Sequence, residues 1–339
     1  MKEVLILGGA GFIGFNLALK LSERDNHNIT IADNLSRGQM DSSLKELLKK
    51  ENVTFIEGDF TNNDDFSMLN KEYDYLYMLA AVVGVNNTLK MPSEIIRINT
   101  KLTMNVLEWL SKSHVKKVIF TSTSENYSGT IDKFNYQVPT PEDVPLSIID
   151  ISHPRYTYAV TKILGESGFL NYANTYGFEC TIIRYHNVIG PRMGFKHVIP
   201  HLAERFLIKK ENPFLMYGFD QTRSFCYIDD AIMGTISAAE YDESDGQIYH
   251  IGSSEEITIE ELIRESGKFF NFDGTFEEAP TFPGSTMRRC PDIAKAKKHF
   301  GYSPKNSWKE SLHKTLKWYG DFFANGNEAY ESSFEKPNV

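Results

Sequence analysis

The chain has 339 residues, enough for one large α/β unit or a main domain with a smaller lobe. Its formal net charge of −9 excludes a basic field for nucleic acid or an anionic membrane, so any phosphate-bearing partner must be gripped by local groups. Cys180, Cys226 and Cys290 are odd in number, scattered and without metal spacing, which excludes a disulfide scaffold and fits a reducing, cytoplasmic setting.

The first predicted element is a short apolar strand from Lys2 to Leu7. It runs into Gly8, Gly11 and Gly14, spaced by three, and then into a helical pattern. Glycine breaks this apolar run early and no small-residue cleavage site follows, so the segment reads as a strand and not as a signal peptide. No stretch approaches the length of a membrane span, and a soluble protein is expected. The glycine spacing is that of a dinucleotide-binding turn. The first glycine permits the sharp turn, the second lets a pyrophosphate approach the main chain, and the third packs helix on strand. Phe12 and Ile13 lie inside this turn, where free helix N–H groups favour negative charge.

A second strand, His27 to Asp33, ends in an acid nineteen residues after Gly14. A carboxylate there accepts hydrogen bonds from adenosine ribose hydroxyls, which argues for NAD, with Asn34 beside it. Arg37 stands close enough to keep NADP open. Further apolar, β-branched runs at Val53 to Glu57, Tyr75 to Leu79, Val115 to Thr121 and Glu179 to Arg184 alternate with helical patterns. This is the rhythm of a doubly wound parallel sheet, a Rossmann-type α/β fold. We expect a dinucleotide-binding domain over 1–185. A smaller C-terminal substrate lobe is expected over 186–325, with some segments returning to the main sheet, followed by a loose polar tail over 326–339.

Two stretches carry candidate chemistry. After the strand ending near Phe120, the run Thr121 to Tyr127 places hydroxyls at a strand's carboxyl end. There Thr123 is suited to hold a substrate hydroxyl, Ser124 follows it, and Glu125 is a second acid or base. Tyr158 and Lys162 lie four apart in a helix expected over Arg155 to Tyr176, on one face. The lysine, with a positive nicotinamide, is expected to favour the phenolate. His197 and His201 are also four apart, but Pro200 intervenes and no third ligand is evident, so no metal is expected.

These motifs give the chain a strong resemblance to the extended short-chain dehydrogenase/reductases of the nucleotide-sugar epimerase, dehydratase and decarboxylase family, from Lys2 to about Pro304. Besides the stretches above, it rests on Gly58-Asp59, Leu79 to Ala81, Arg184 to Arg192, Thr222 to Ala231, His250 to Ser253 and Arg288 to Lys297. The resemblance implies that Asp59 and Phe60 flank the adenine and that Leu79, Ala80, Ala81 and Thr121 line the cofactor. It implies that Tyr158 takes the proton of the sugar hydroxyl being oxidised, usually at C4, and that Lys162 holds the nicotinamide ribose. Asn187 matches a nucleotide-sugar contact, and Arg223 with Arg288 or Arg289 a diphosphate clamp. Family members pair through two long helices, here Pro92 to Ser113 and Arg155 to Tyr176, so a homodimer is implied.

The chain departs from the family at informative places. Ser124 stands where the dehydratases carry an aspartate that protonates the departing C6 hydroxyl, and serine is too weak an acid for 4,6-dehydration. Simple 4-epimerases usually lack Glu125. Thr123-Ser124-Glu125 and Gly190 to Met193 look most like decarboxylases of nucleotide-linked glucuronic acid, yet Gly194 to Pro200 lacks their usual continuation. His186 replaces a frequent phenylalanine. The leading expectation is NAD-dependent oxidation of a nucleotide-diphosphate sugar at C4, the 4-keto sugar being released (4-dehydrogenase) or re-reduced (4-epimerase). The alternative is decarboxylation of a nucleotide-linked hexuronic acid, and a non-enzymatic NAD-binding regulator ranks last.

Overall fold

The computed structural model describes residues 1–281, 284–327 and 329. Seven strands form its centre: β1 (Lys2–Leu7), β2 (His27–Asp33), β3 (Val53–Glu57), β4 (Glu72–Met78), β5 (His114–Thr123), β6 (Glu179–Tyr185) and β7 (Ile248–Ile251). They are all parallel, in the order β7-β6-β5-β4-β1-β2-β3. The order reverses between β1 and β4, and the crevice of such a sheet opens there, outside the carboxyl ends of the strands.

Both faces of the sheet are covered, which is why its strands read as continuous apolar runs. Successive side chains point to opposite faces. Val4 and Ile6 therefore join one core, with Leu17 and Leu21 of helix α1 (Phe12–Leu21). Leu5 and Leu7 join the other, with Val106 and Leu110 of α2 (Pro92–Leu110) and Phe169 of α3 (Thr157–Tyr176). Each such fully buried side chain contributes roughly 1.5–3 kcal/mol. A very close contact lies between α3 and β5, where a Cβ on Gly165 would fall 2.3 Å from Phe120 Cζ. Glycine costs about 1 kcal/mol inside a helix, and here it allows the approach that brings the α3 residues to the end of β5.

The segment 186–325 is divided in space. Helix α4 (Ile228–Glu240) and β7 return to the main sheet. The rest builds a lobe around Phe206, Phe214, Leu262 and Leu316, closed by a helix over Trp308–Ala324. The expected tail, 326–339, lies almost wholly outside the described residues. None of the described helices is long and apolar enough to cross a membrane.

Several expected boundaries move. β5 runs on through Thr123, because Thr121 Oγ1 donates to the Met78 carbonyl at 2.9 Å and Ser122 Oγ to Glu166 Oε1 at 2.5 Å. Helix α3 begins at Thr157, after a 3-10 turn over Pro154–Tyr156 in which the Arg155 N–H donates to His153 Nδ1. Helix α2 stops at Leu110, where the chain opens into i to i−3 bonds such as Lys112 N–H to the Trp109 carbonyl.

Candidate active site

One cleft of about 580 Å³ crosses the carboxyl ends of β1, β2, β4, β5 and β6 and is roofed by the lobe. All but two of the site residues singled out in the sequence border it. The exceptions are Ser124 and Arg288.

The dinucleotide half is built from the turn after β1. Gly8 has φ +83°, and a Cβ there would lie 2.6 Å from Ala80 N; a Cβ on Gly14 would lie 2.3 Å from the Gly8 carbonyl oxygen. Only glycine fits either place. No side chain caps the start of α1 and no acid lies in its first turn, which leaves the first N–H groups to an anion. At the end of β2, Asp33 Oδ2 accepts from Ala10 N–H at 3.0 Å and Oδ1 from Leu35 N–H at 2.8 Å. Burial raises this carboxyl's pKa above the usual range, against those two bonds. Gly8, Gly11, Phe12, Ile13 and Gly14 on one wall, and Asp33, Asn34, Asp59, Phe60, Leu79, Ala80 and Ala81 on the others, fit an adenosine diphosphate moiety.

The other half joins β5 to α3. Lys162 Nζ donates to the Thr121 carbonyl at 2.8 Å and stands 4.7 Å above the Phe120 ring. Burial lowers its pKa to about 7, with Glu166 opposing. The ammonium is 5.8 Å from the centre of the Tyr158 ring. Burial raises the Tyr158 phenol well above its ordinary pKa, Arg37 opposing and Glu125 assisting, so the tyrosine is a neutral phenol here. The phenolate expected from the Tyr-Lys spacing is thus not formed by the protein alone. Spacing sets a shared face, and the depth of burial decides the charge.

Thr123 Oγ1 accepts from Glu125 N–H at 3.3 Å in the turn that ends β5. Glu125 faces the cleft and is no proton donor. Arg289 Nη1 donates to its Oε1 at 2.7 Å and Arg155 Nη2 lies 3.5 Å from the same oxygen. Burial raises its pKa, but Arg289 and Arg155 outweigh that and hold it at about 2. Of the second acid or base expected there, the two arginines favour the ionised form. Ser124 is buried and turns away from the cleft, because the chain leaves the strand and alternate side chains part.

The two lobe arginines separate for a similar reason. Arg288–Arg289 is a two-residue strand paired with Thr222–Ser224, and its successive side chains take opposite faces. Arg289 is buried in the cleft beside Arg223, its register partner. Arg288 points outward, its Nη2 2.7 Å from Glu256 Oε2, so of the two arginines offered for the clamp only Arg289 lines the cleft. Burial, then Arg289, lowers the Arg223 pKa to about 9. Asn187 adopts φ +36° and its Nδ2 donates to the Ser224 carbonyl at 2.9 Å.

Sequence reasoning missed three contributors. Arg155 pairs with Glu125 from one turn before Tyr158. Arg192 donates to Asp41 and reaches the Ala10 carbonyl, tying the lobe to the glycine turn. Asn99 Oδ1 accepts from Val82 N–H at 2.8 Å and its Nδ2 donates to the Val82 carbonyl at 3.0 Å, which fixes the cleft wall. A polar residue inside the apolar stripe of α2 was the available signal for Asn99. Among the described residues, no three His, Cys, Asp or Glu side chains gather in a group that holds a metal.

Comparison with known proteins agrees with this geometry. Residues 4–252 match the profile of the NAD dependent epimerase/dehydratase family. The sequence is 34% identical over 335 residues to a UDP-N-acetyl-alpha-D-glucosaminuronate decarboxylase of Bacillus cytotoxicus, covering 94% of this chain and 98% of that one. The fold matches a UDP-glucuronic acid 4-epimerase from Bacillus cereus, solved with UDP-glucuronic acid and NAD, at 25% identity and TM-score 0.82, covering 94% and 99% of the two chains. It also matches a UDP-N-acetylglucosamine 4-epimerase from Methanobrevibacter ruminantium, at 27% identity and TM-score 0.82, covering 96% and 99%. The glycine turn, the Asp33 anchor and this breadth of match together place the chain in the NAD dependent epimerase/dehydratase family, with NAD as its cofactor.

Proposed function

We propose that this protein oxidises a nucleotide-linked hexuronic acid at C4 and that the resulting 4-keto acid loses carbon dioxide. The observation that carries the reading is Arg289, buried against Glu125, two residues past Thr123 and on the cleft shared with Tyr158. Arg155, Arg223 and Arg289 stand with Glu125 and Asp132, three positive charges to two negative, so the site keeps a positive excess for an anionic group of the substrate. Sequence alone favours release or re-reduction of the 4-keto sugar. The arginine placement and the 34% identity to a decarboxylase of a nucleotide-linked uronic acid support the alternative instead.

When bound, NAD supplies a hydride acceptor and a positive charge. With that charge in place the Tyr158 phenol would give up its proton to solvent, and its phenolate Oη accepts the C4 hydroxyl proton while Thr123 Oγ1 orients that hydroxyl. Lys162, fixed on the Thr121 carbonyl, supports the charge forming on Tyr158. Arg289 holds the C5 carboxylate, and Glu125 holds Arg289. With a keto group at C4 that carboxylate is β to a carbonyl. The bond to it breaks with its electron pair passing toward the C4 oxygen, where the Tyr158 hydroxyl donates; a solvent proton then closes C5, and the hydride would return to the C4 carbonyl.

Re-reduction without carbon loss is the second reading, supported by the epimerase names of the solved neighbours. Incubating the NAD-loaded protein with UDP-glucuronic acid labelled with ¹³C at C6 separates the two. Labelled bicarbonate supports decarboxylation, and a product of unchanged mass with the label retained supports epimerisation. Exposed apolar side chains on α2 and α3, Ile96, Met104 and Leu164, also support the homodimer implied by the family.

A further inference from the structure

Behind the cleft lies a polar cluster that the reaction above does not use. Tyr127, His186 and His250 are fully buried. Tyr127 Oη is 2.6 Å from His186 Nε2 and 3.3 Å from His250 Nε2, and His250 Nδ1 is 3.2 Å from the Asp292 carbonyl oxygen. Burial holds both imidazoles far below their usual pKa and raises that of the phenol, so three neutral groups share their protons.

Proton counting orders them. A carbonyl only accepts, so His250 carries its one N–H at Nδ1 and accepts at Nε2. Tyr127 has a single proton, which goes to His250, and His186 donates from Nε2 to Tyr127 Oη. In the reverse order Tyr127 would donate to His186, leaving His250 Nε2 without a donor. His186 would then carry an N–H at Nδ1, an atom with no hydrogen-bond partner among the described residues. A buried N–H without an acceptor is the rarer and costlier state. The bonds therefore run one way, from His186 through Tyr127 and His250 to Asp292.

Three of the four members stand on segments that carry a cleft residue, and His250 joins them from β7. Tyr127 follows Glu125 by two positions in the turn after β5, His186 immediately precedes Asn187 after β6, and Asp292 follows Arg289 by three. The packing leaves no slack, since a Cβ on Gly252 would lie 2.7 Å from His186 Cβ and 3.1 Å from Pro291 Cγ. Thr140 braces the last segment, its N–H donating to the Cys290 carbonyl at 2.9 Å and its carbonyl accepting from Asp292 N–H at 2.8 Å. We propose that the chain His186–Tyr127–His250–Asp292 is a positioning unit that sets where Arg289 and Glu125 stand relative to Asn187, and so sets selectivity for a sugar carboxylate. The assignment rests on the hexuronic-acid reading. Phenylalanine at 186 would have no donor to offer.

The test uses the full-length, NAD-loaded protein and its variants Tyr127→Phe, His186→Phe and His186→Gln. Histidine ¹⁵N spectra are expected to show His186 protonated at Nε2 and His250 at Nδ1; the opposite tautomers overturn the ordering and the unit with it. Calorimetric titration is expected to show wild type preferring UDP-glucuronic acid over UDP-glucose. Both phenylalanine variants should lose about tenfold of that preference, the effect of one weakened charge-assisted contact, with UDP-glucose and NAD affinity unchanged. His186→Gln, which keeps a donor, should retain it. Unchanged preference in the phenylalanine variants, or equal weakening toward every ligand, overturns the positioning role. If wild type itself shows no preference, the hexuronic-acid reading falls, and the unit is judged on the Arg289 Nε–H resonance of substrate-free protein. That resonance should shift in Tyr127→Phe, and its constancy overturns the unit.

Discussion

Arg289 Nη1 lies 2.7 Å from Glu125 Oε1, a bond that joins the lobe to the turn ending β5. Both side chains are largely buried, at 6% and 21% exposure, so neither charge is screened as it would be on the surface. The neighbouring Arg288 makes an equally short pair with Glu256 at 52% and 20% exposure.

The two arginines should therefore behave differently. Arg289→Ala strands a buried carboxylate and is expected to lower stability by about 3 kcal/mol and turnover by a hundredfold or more. Arg288→Ala removes an exposed pair and should change stability by less than about 1 kcal/mol, with turnover near wild type. Urea unfolding and steady-state assays of both variants check this, and equal effects would contradict it.

Lys162 is buried at a cost to folding, since burial lowers its pKa to about 7. Its folded pKa lies below the unfolded value, so the folded protein binds fewer protons between about pH 7 and 10 and this cost is largest below that window. Lys162→Met should make NAD-free protein about 1–2 kcal/mol more stable at neutral pH while turnover falls by roughly a thousandfold. Tyr158→Phe should match that loss of turnover and keep NAD binding. Thermal melts with and without NAD, beside single-turnover assays, report both.

Gly165→Ala introduces a Cβ 2.3 Å from Phe120 Cζ. Neither the ring nor the helix can yield without disturbing Lys162, which sits on that ring. A loss of about 1–3 kcal/mol is expected by denaturant melting, with a larger proportional loss of turnover than of stability. Wild-type stability in this variant would mean that α3 does not pack as described.

Acid should destabilise the protein well before its carboxylates titrate. Burial holds His197 and His250 at about 3, and His186 well below its usual value. Folded, these imidazoles stay neutral; unfolded, they protonate below about pH 6.5. The unfolded chain then binds more protons, so stability is complete above about pH 6.5 and falls steadily as the pH drops toward 4. Each histidine contributes a slope of up to about 1.4 kcal/mol per pH unit. Urea midpoints across that range should fall, and His186→Phe should flatten the slope.

Much of this architecture was legible. β2 and β3 have the limits expected from their β-branched runs, because strands buried on both faces carry a continuous apolar signal. The end of β5 was not, since Thr121, Ser122 and Thr123 look like a polar turn until the Thr121 and Ser122 hydroxyls are seen bonding inward. The choice between Arg288 and Arg289 was beyond reach, as a two-residue strand has no period to read. For Tyr158 the shared face with Lys162 was readable, while the burial that keeps the phenol protonated depends on residues from distant strands.

The most direct measurement is a single turnover of the NAD-loaded protein with UDP-glucuronic acid deuterated at C4, following NADH absorbance and product mass. C4 oxidation, carbon loss and return of the hydride to C4 predict absorbance that rises and then decays, more slowly for the deuterated sugar, and a product lighter by carbon dioxide that keeps its deuterium. Absence of transient NADH, or a product with its carboxylate intact, would contradict it.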